Sequence, residues 1–276
     1  MLLKLFAGLS LPLSVLIFSG IEAPIWALPL LYIGCLLAFL LLAFGFLALM
    51  CLPVDLSKPQ REDSKFYRTV MYLYIELIIQ VLGAEITASG LERTPEGRRF
   101  LLVCNHQCEV DPAIIFHFFR KSQLAFISKK EVADMPILGK FAHRTMCQMI
   151  NRENDREGLR TILKCIQMLK DDEVSIGVFP EGGIVEKEKL SHFRSGVFKI
   201  AQKAQVPIVV CTLKNTTNVL HQIKHFQKIR VQLHLVDIIP DWQVAEMSTA
   251  EISERVYNLM LEDLGEEYRP VPSQNT

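Results

Sequence analysis

Apolar and polar positions divide this chain into two regions with different patterns. The first region holds two long uncharged stretches, Leu5–Ile21 and Ala23–Val54. A helix that crosses a bilayer needs about 20 apolar residues, so the second stretch is long enough and the first is close to that length. Between them, Ser19–Pro24 contains a Gly, a Pro and an acidic residue, which is typical of a tight turn. The pattern predicts a membrane-embedded helical hairpin over residues 1–56.

Two other arrangements fit the same N-terminal pattern. A cleaved signal peptide would remove the first apolar run and leave the second as a membrane helix. A hairpin embedded in one leaflet is physically close to a spanning pair. Basic residues lie on both sides of the hairpin, at Lys4 before it and at Lys58, Arg61, Lys65 and Arg68 after it. The positive-inside rule then places both ends, and the domain that follows, at the cytosolic face of the membrane.

Residues 57–83 are predicted to form a juxtamembrane amphipathic helix. From Lys65 to Leu82 the sequence is largely apolar, with Arg68 and Glu76 interspersed and three tyrosines among them. Tyrosines beside basic residues suit the membrane–water interface. The same helix can instead pack on the following domain, and the two interpretations are compatible.

After Gly83 short apolar runs alternate with helical stretches, which predicts an α/β domain over residues 84–265. A capping-box pattern begins the last helix at Ser248. The polar tail, residues 266–276, is expected to be loose. Strands are predicted at Glu85–Ala88, Phe100–Cys104, Leu124–Ile127, Met146–Ile150, Val174–Phe179, Ile208–Leu213 and Arg230–Ile238, and helices at Pro112–Arg120, Asp155–Lys170 and Gly196–Gln205.

Composition narrows the function classes. The 30 basic residues balance the 30 acidic ones, so nothing indicates a nucleic-acid partner. The seven cysteines form no C-x-x-C pair, which favours reduced thiols in a cytosolic setting. Cys104, His106 and Cys108 alternate along the chain, but no fourth ligand follows at a usual spacing, and we predict no metal site.

The candidate chemistry begins at Asn105-His106, directly after the predicted strand Phe100–Cys104, with Asp111 five positions after the histidine. Ligands of α/β folds usually bind at the carboxyl ends of strands. Asp111 is close enough in sequence to hold one ring nitrogen of His106, which leaves the other nitrogen to take a proton. No Ser, Thr or Cys nucleophile motif accompanies the pair, so the base can act directly on a substrate hydroxyl. Cys108 as a nucleophile is the alternative.

Three further blocks follow, and the four together resemble the glycerolipid acyltransferase superfamily, specifically its PlsC-like 1-acyl-glycerol-3-phosphate acyltransferases. The similarity covers most of Ala84 to Cys211. In the order typical of the family, the blocks are Asn105–Asp111, Met149–Arg152, Phe179–Gly183 and Val206–Val210. The resemblance implies a mixed, mostly parallel sheet flanked by helices.

The resemblance also implies roles for individual residues. His106 and Asp111 are the catalytic residues, and backbone amides around Gly182 and Gly183 are expected to stabilise an oxyanion. The expected substrate-binding residues are Asn105, Lys129, Lys130, Arg152, Glu181, Gly182, Gly183 and Arg194. The implied reaction moves an acyl chain from a thioester, acyl-CoA or acyl carrier protein, to the sn-2 hydroxyl of 1-acyl-glycerol-3-phosphate and gives phosphatidic acid. The expected partners are therefore the bilayer, a lysophospholipid and the acyl donor, with no cofactor and no nucleic acid.

Two departures from the family pattern affect the choice of acceptor. Met149 and Asn151 stand where the family usually has Phe and Asp, and Ile184-Val185 follows Gly183 where the family has an arginine that helps hold the acceptor's phosphate. Another lysophospholipid acceptor is therefore an alternative. A catalytically inactive, membrane-bound lipid-binding protein is the rival from a different class, although the intact His106, Asp111 and Glu181 argue against it.

Overall fold

The structure, a computed structural model, describes residues 2–60, 62–151, 154–184, 188–225 and 227–270. All seven predicted strands are present, with ends within two residues of the predicted ones. They are β1 (Glu85–Ser89), β2 (Leu101–Cys104), β3 (Leu124–Lys129), β4 (Gln148–Ile150), β5 (Ser175–Val178), β6 (Ile208–Lys214) and β7 (Arg230–Ile239). The helices are α1 (Leu2–Ser19), α2 (Ala27–Cys51), α3 (Lys65–Val81), α4 (Asp111–Phe118), α5 (Leu138–Arg144), α6 (Asp155–Lys170), α7 (Lys199–Ala204), α8 (Val219–Lys224), α9 (Asp241–Glu246) and α10 (Thr249–Leu264).

The strands form one sheet in the order β1-β7-β6-β2-β5-β3-β4. Every neighbouring pair is parallel except β6 and β7, which are antiparallel. The central strands β2 and β5 are buried along their whole length, because helices cover both faces, and such strands are apolar without alternation. This confirms the predicted α/β fold with a mixed, mostly parallel sheet flanked by helices.

Parallel pairing determines where the loops meet. Strands β2, β5, β3 and β4 run in the same direction, so their carboxyl ends lie along one edge of the sheet. His106 follows β2, Glu181 follows β5 and Lys129 ends β3. The candidate residues therefore gather at the edge where α/β folds usually bind their ligands.

The two N-terminal helices form the predicted hairpin. Both are long and apolar enough to cross a membrane, and only 11% of α1 and 6% of the most apolar 18-residue stretch of α2 is buried. The helices pack through Phe6 and Phe39, whose rings stack with centroids 5.7 Å apart, and through the fully buried Ser10 and Ser14. Most of the apolar surface of the hairpin consequently faces away from the protein.

Helix α3 contacts both regions of the chain. Its Tyr67 hydroxyl donates to the carbonyl of Met50 in α2 at 2.9 Å, so one side of α3 packs on the hairpin. The buried guanidinium of Arg68 on another side pairs with Asp63 at 2.7 Å and donates to the carbonyl of Leu124 at the start of β3. Packing of α3 on the α/β domain, one of the two interpretations of its sequence, is therefore observed.

The tail differs from its prediction at its first residues. Glu266–Tyr268 forms a single 3-10 turn, and the amide of Leu190 donates to the carbonyl of Tyr268 at 2.7 Å. The prediction of a loose chain from residue 266 is wrong for this turn, because a backbone contact 78 residues away in sequence stabilises it. Residues 271–276 lie outside the described part of the chain.

Candidate active site

His106 and Asp111 form the hydrogen-bonded pair that their spacing predicts. His106 Nδ1 lies 3.0 Å from Asp111 Oδ2. Asp111 is fully buried at the first residue of α4, and the same Oδ2 accepts the backbone N–H groups of Gln107 at 2.7 Å and Cys108 at 2.8 Å. The turn between strand and helix is therefore wrapped around one carboxylate oxygen, which fixes the orientation of the imidazole.

The His106 ring is held from a second side by an aromatic stack. It lies on the ring of Phe179, with centroids 4.1 Å apart and an interplanar angle of 17°. The His106 side chain is 17% exposed, and within the described residues its Nε2 has no hydrogen-bond partner. With Nδ1 directed at Asp111, Nε2 is the nitrogen available to a substrate.

Glu181 braces the histidine through the backbone. Its Oε1 accepts the N–H of His106 at 2.7 Å and its Oε2 accepts the N–H of Ser191 at 2.8 Å. The carboxylate is 4% exposed, and burial raises its pKa to about 7, although the two amide hydrogen bonds act in the opposite direction. Both oxygens are thus occupied by the protein, which indicates a positioning role where the sequence predicted substrate binding.

The side chain of Asn105 also bonds to the protein backbone. Its side-chain Nδ2 donates to the carbonyl of Leu213 at 2.9 Å, and its Oδ1 accepts the N–H of Leu213 at 2.7 Å. The side chain is fully buried. Asn105 therefore fastens the end of β2 to β6, because both polar atoms of its side chain bond to the backbone of Leu213.

The two glycines differ in their backbone amides. Gly182 N–H donates to the carbonyl of Phe179 at 3.0 Å, and Gly182 has a φ of +79°, in the region that favours glycine. A Cβ at Gly182 would lie 2.6 Å from Nε of Arg194, so the arginine side chain rests on this backbone. Among the described residues, the N–H of Gly183 has no hydrogen-bond partner, which makes it the better placed of the two to donate to a substrate oxygen.

The predicted cations lie in different parts of the structure. Arg194 is exposed, lies over Gly182, and forms no ion pair with the described residues. Lys129 and Lys130 are exposed at the end of β3, two strand spacings from β2, or about 10 Å. Arg152 falls outside the described residues.

Gln107, inside the first motif, makes contacts that the sequence did not indicate. Gln107 is 3% exposed, and its side chain contacts the backbone of Glu188 and Lys189. No local sequence signal identifies such a contact, because its partners are about 80 residues away.

Cys108 is also 3% exposed, and burial raises the pKa of its thiol, which weakens it as a nucleophile. Within the described residues, no group of three His, Cys, Asp or Glu side chains could hold a metal ion.

Part of this chain is similar in sequence to known proteins. Residues 85–214, which contain β1 to β6 and the His106 site, match the family model named Acyltransferase. The segment around His106 is therefore similar to the acyltransferase family.

Individual relatives of this chain carry a more specific name. A protein of Mycoplasma pneumoniae named probable 1-acyl-sn-glycerol-3-phosphate acyltransferase is 30% identical over 179 residues, 63% of this chain and 64% of the relative. The 1-acyl-sn-glycerol-3-phosphate acyltransferase of Saccharomyces cerevisiae is 25% identical over 215 residues, 76% of this chain and 68% of the relative. The aligned part of this chain thus spans about two thirds of each relative's length.

A solved structure shares the fold. The crystal structure of the 1-acyl-sn-glycerophosphate acyltransferase PlsC from Thermotoga maritima aligns with a TM-score of 0.62 over 80% of this chain and 86% of that one. The two sequences are 22% identical in the alignment. At this identity, the likeness supports the arrangement of helices and strands and no finer statement.

The raised pKa of Glu181 predicts a pH-dependent stability. The carboxyl binds its proton up to about pH 7 in the folded chain, against an ordinary pKa of 4.5, so the free energy of unfolding falls as the pH rises through this window. A shift of this size corresponds to about 3 kcal/mol. At each pH, the free energy of unfolding of Glu181→Gln is subtracted from that of the unmodified chain. We expect this difference to fall by about that amount between about pH 4 and about pH 8. Denaturant titrations in detergent micelles measure it, and a difference that stays constant with pH contradicts the assignment.

Proposed function

We propose that this protein transfers an acyl chain from a thioester to the sn-2 hydroxyl of 1-acyl-glycerol-3-phosphate, giving phosphatidic acid. The observation that carries the proposal is the His106–Asp111 pair, 3.0 Å apart, at the carboxyl edge of the sheet. It lies within the segment that matches the acyltransferase family model. The names of the relatives support the choice of acceptor.

In the proposed reaction, Nε2 of His106 removes the proton of the acceptor hydroxyl while that oxygen attacks the thioester carbonyl. Asp111 keeps Nδ1 protonated and stabilises the imidazolium that forms. When the tetrahedral intermediate collapses, the C–S bond breaks, and the departing thiolate takes the proton from the imidazolium and leaves as the thiol. Both substrates are bound together, and no covalent acyl-enzyme is formed.

The negative charge on the attacked carbonyl oxygen needs a donor that is already in place. The amide of Gly183 has no partner among the described residues, whereas the amide of Gly182 is already used by Phe179. We assign the donor role to Gly183, which lies two residues after the glutamate that braces His106. The oxyanion donor and the general base are then held by the same loop.

Arg194 is the group proposed to bind the acceptor's phosphate. An arginine can form two charge-assisted hydrogen bonds to a phosphate, and Arg194 lies on the glycine loop without an acidic partner in the described part of the chain. It would replace the arginine that this chain lacks after Gly183. Another lysophospholipid acceptor remains the second candidate because that arginine is replaced by Ile184.

The hairpin is proposed to hold the enzyme in the membrane with the catalytic domain at the cytosolic face. Helices α1 and α2 meet the length and hydropathy of spanning helices and leave their apolar surface uncovered. Basic residues at both ends of the hairpin favour the cytosolic orientation. An enzyme that is held at the bilayer meets a lipid acceptor where that acceptor is dissolved. Acyl-CoA and acyl carrier protein are both compatible with this placement.

The general-base assignment predicts a large kinetic effect at one residue. His106→Ala should lower turnover by about a hundredfold to ten-thousandfold without unfolding the domain. Asp111→Asn should cost less, because the amide oxygen can still accept the three N–H groups while the charge is lost. Steady-state assays with labelled acyl-CoA and 1-acyl-glycerol-3-phosphate measure both. Near-normal turnover in His106→Ala, together with inactive Cys108→Ala, would indicate a nucleophilic mechanism.

Phosphate binding by Arg194 predicts an effect on one substrate. Arg194→Ala should raise KM for the acceptor by about tenfold or more, the effect of losing a hydrogen bond to a charged group, and leave KM for the acyl donor unchanged. Lys203→Ala, an exposed cation on α7, serves as the matched control. An unchanged acceptor KM in Arg194→Ala, with a raised one in Arg152→Ala, would assign the phosphate to Arg152.

The anchor assignment is tested by deleting residues 1–56. The shortened chain should keep the circular dichroism of the α/β domain and leave membranes in a salt wash that retains the full chain. Every candidate site residue lies beyond Gly83, although α3 loses its packing partner in α2. Full retention of the shortened chain would show that α3 anchors the protein by itself.

A further inference from the structure

A four-residue segment beside the active site is fastened at every residue. We name Glu188–Ser191 the strap. The amide of Glu188 donates to Oε1 of Gln107 at 2.7 Å, and the carbonyl of Lys189 accepts from Nε2 of Gln107 at 2.9 Å. The amide of Leu190 donates to Tyr268 at 2.7 Å, and that of Ser191 to Glu181 at 2.8 Å. The strap belongs to no helix or strand, so these contacts replace the regular pairing of secondary structure.

Gln107 connects the strap to the catalytic turn. Its backbone N–H donates to Asp111 Oδ2 at 2.7 Å, the oxygen that also holds the His106 ring. Its side chain reaches the strap through both amide atoms. The residue is 3% exposed, and loss of buried hydrogen bonds leaves unpaired polar groups that are costly. One residue therefore joins the orienting carboxylate to the strap.

The conformation of Glu188 supports the view that the strap is held in place by its contacts. Its φ is +60°, a left-handed value that non-glycine residues adopt at a cost. Such residues persist where the surrounding contacts over-determine them, and they concentrate at functional sites. Gln107 supplies two of those contacts, at Glu188 and at its neighbour Lys189.

The strap leads directly to Arg194. Ser191 ends the strap three residues before the arginine, and the Arg194 amide donates to the carbonyl of Pro180 at 2.9 Å. The side chain of Arg194 then lies on Gly182. The position of this guanidinium relative to His106 therefore depends on where the strap is held.

We propose that Gln107 is a positioning residue, and that with the Glu266–Tyr268 turn it holds the strap so that the acceptor's anionic group and hydroxyl meet Arg194 and His106 together. The proposal rests on the proposed function for its choice of substrate. Gln107 does not touch the reacting atoms. Loss of the Gln107 side-chain amide displaces the strap and weakens binding of the acceptor. The Gly183 amide, proposed to contact the thioester oxygen, keeps its position.

The first test uses the full chain with Gln107→Met, which keeps the length of the side chain and removes both amide hydrogen bonds. KM for 1-acyl-glycerol-3-phosphate should rise by about tenfold, the effect of one or two net hydrogen bonds, with KM for acyl-CoA within about twofold. Tryptic cleavage after Lys189 should accelerate by a similar factor, which reports the strap without any activity measurement. Thr217→Val is the matched control, because its hydroxyl meets the same Gln107 oxygen only at a long 3.3 Å, and it should change neither readout.

A second pair of variants reaches the strap from the other side. A chain that ends at Gly265 lacks the Tyr268 carbonyl and should show the same rise in acceptor KM and the same faster cleavage. A chain that ends at Arg269 keeps that carbonyl and should match the full chain. This pair decides the question by itself if Gln107→Met does not fold.

Equal rises in KM for both substrates, or unchanged tryptic cleavage in Gln107→Met and in the chain ending at Gly265, overturn the proposal. If no lysophospholipid is acylated by the unmodified chain, the proposed function fails. The cleavage rates then still show whether Gln107 and the C-terminal turn hold the strap.

Discussion

One buried carboxylate oxygen, Oδ2 of Asp111, accepts hydrogen bonds from the imidazole of His106 and from the amides of Gln107 and Cys108. Three donors on one oxygen are a strong constraint, because bonds to a charged acceptor are short and about twice as strong as neutral ones. They also offset the cost of burying a charge. The constraint fixes the path of the chain between β2 and α4, and hence the direction in which His106 Nε2 points.

A second buried carboxylate extends this constraint across the sheet. Glu181 joins the His106 amide to that of Ser191, so one side chain holds the loops after β2 and β5 together. Burial raises its pKa to about 7, which shows the cost of placing this charge away from water. The proposed acyl transfer needs a general base, an oxyanion donor and an acceptor site in one fixed arrangement, and the two carboxylates contribute to it through the backbone amides that they accept.

The sequence predicted those features whose signals are local. The seven strands follow from short apolar runs, and the His106–Asp111 pair follows from a spacing of five residues that a strand-to-helix turn can close. The bracing by Glu181 and the fastening of the strap by Gln107 depend on parallel pairing of β2 with β5, which brings together residues about 80 positions apart. A single sequence contains no signal for such contacts, so Glu181 and Asn105 were predicted to bind substrate although their polar atoms contact the protein backbone. The turn Glu266–Tyr268 was missed for the same reason.

The central claim is that the acyl chain passes directly from the thioester to the acceptor, with His106 as a base and no nucleophile on the protein. Cys108 is the alternative nucleophile, although burial raises the pKa of its thiol. The most direct measurement is the intact mass of the full chain after rapid mixing with acyl-CoA in the absence of an acceptor. The account predicts an unchanged protein mass and no burst of free CoA. A stoichiometric gain of one acyl chain, formed as fast as turnover and mapped to Cys108 or another side chain, would contradict it.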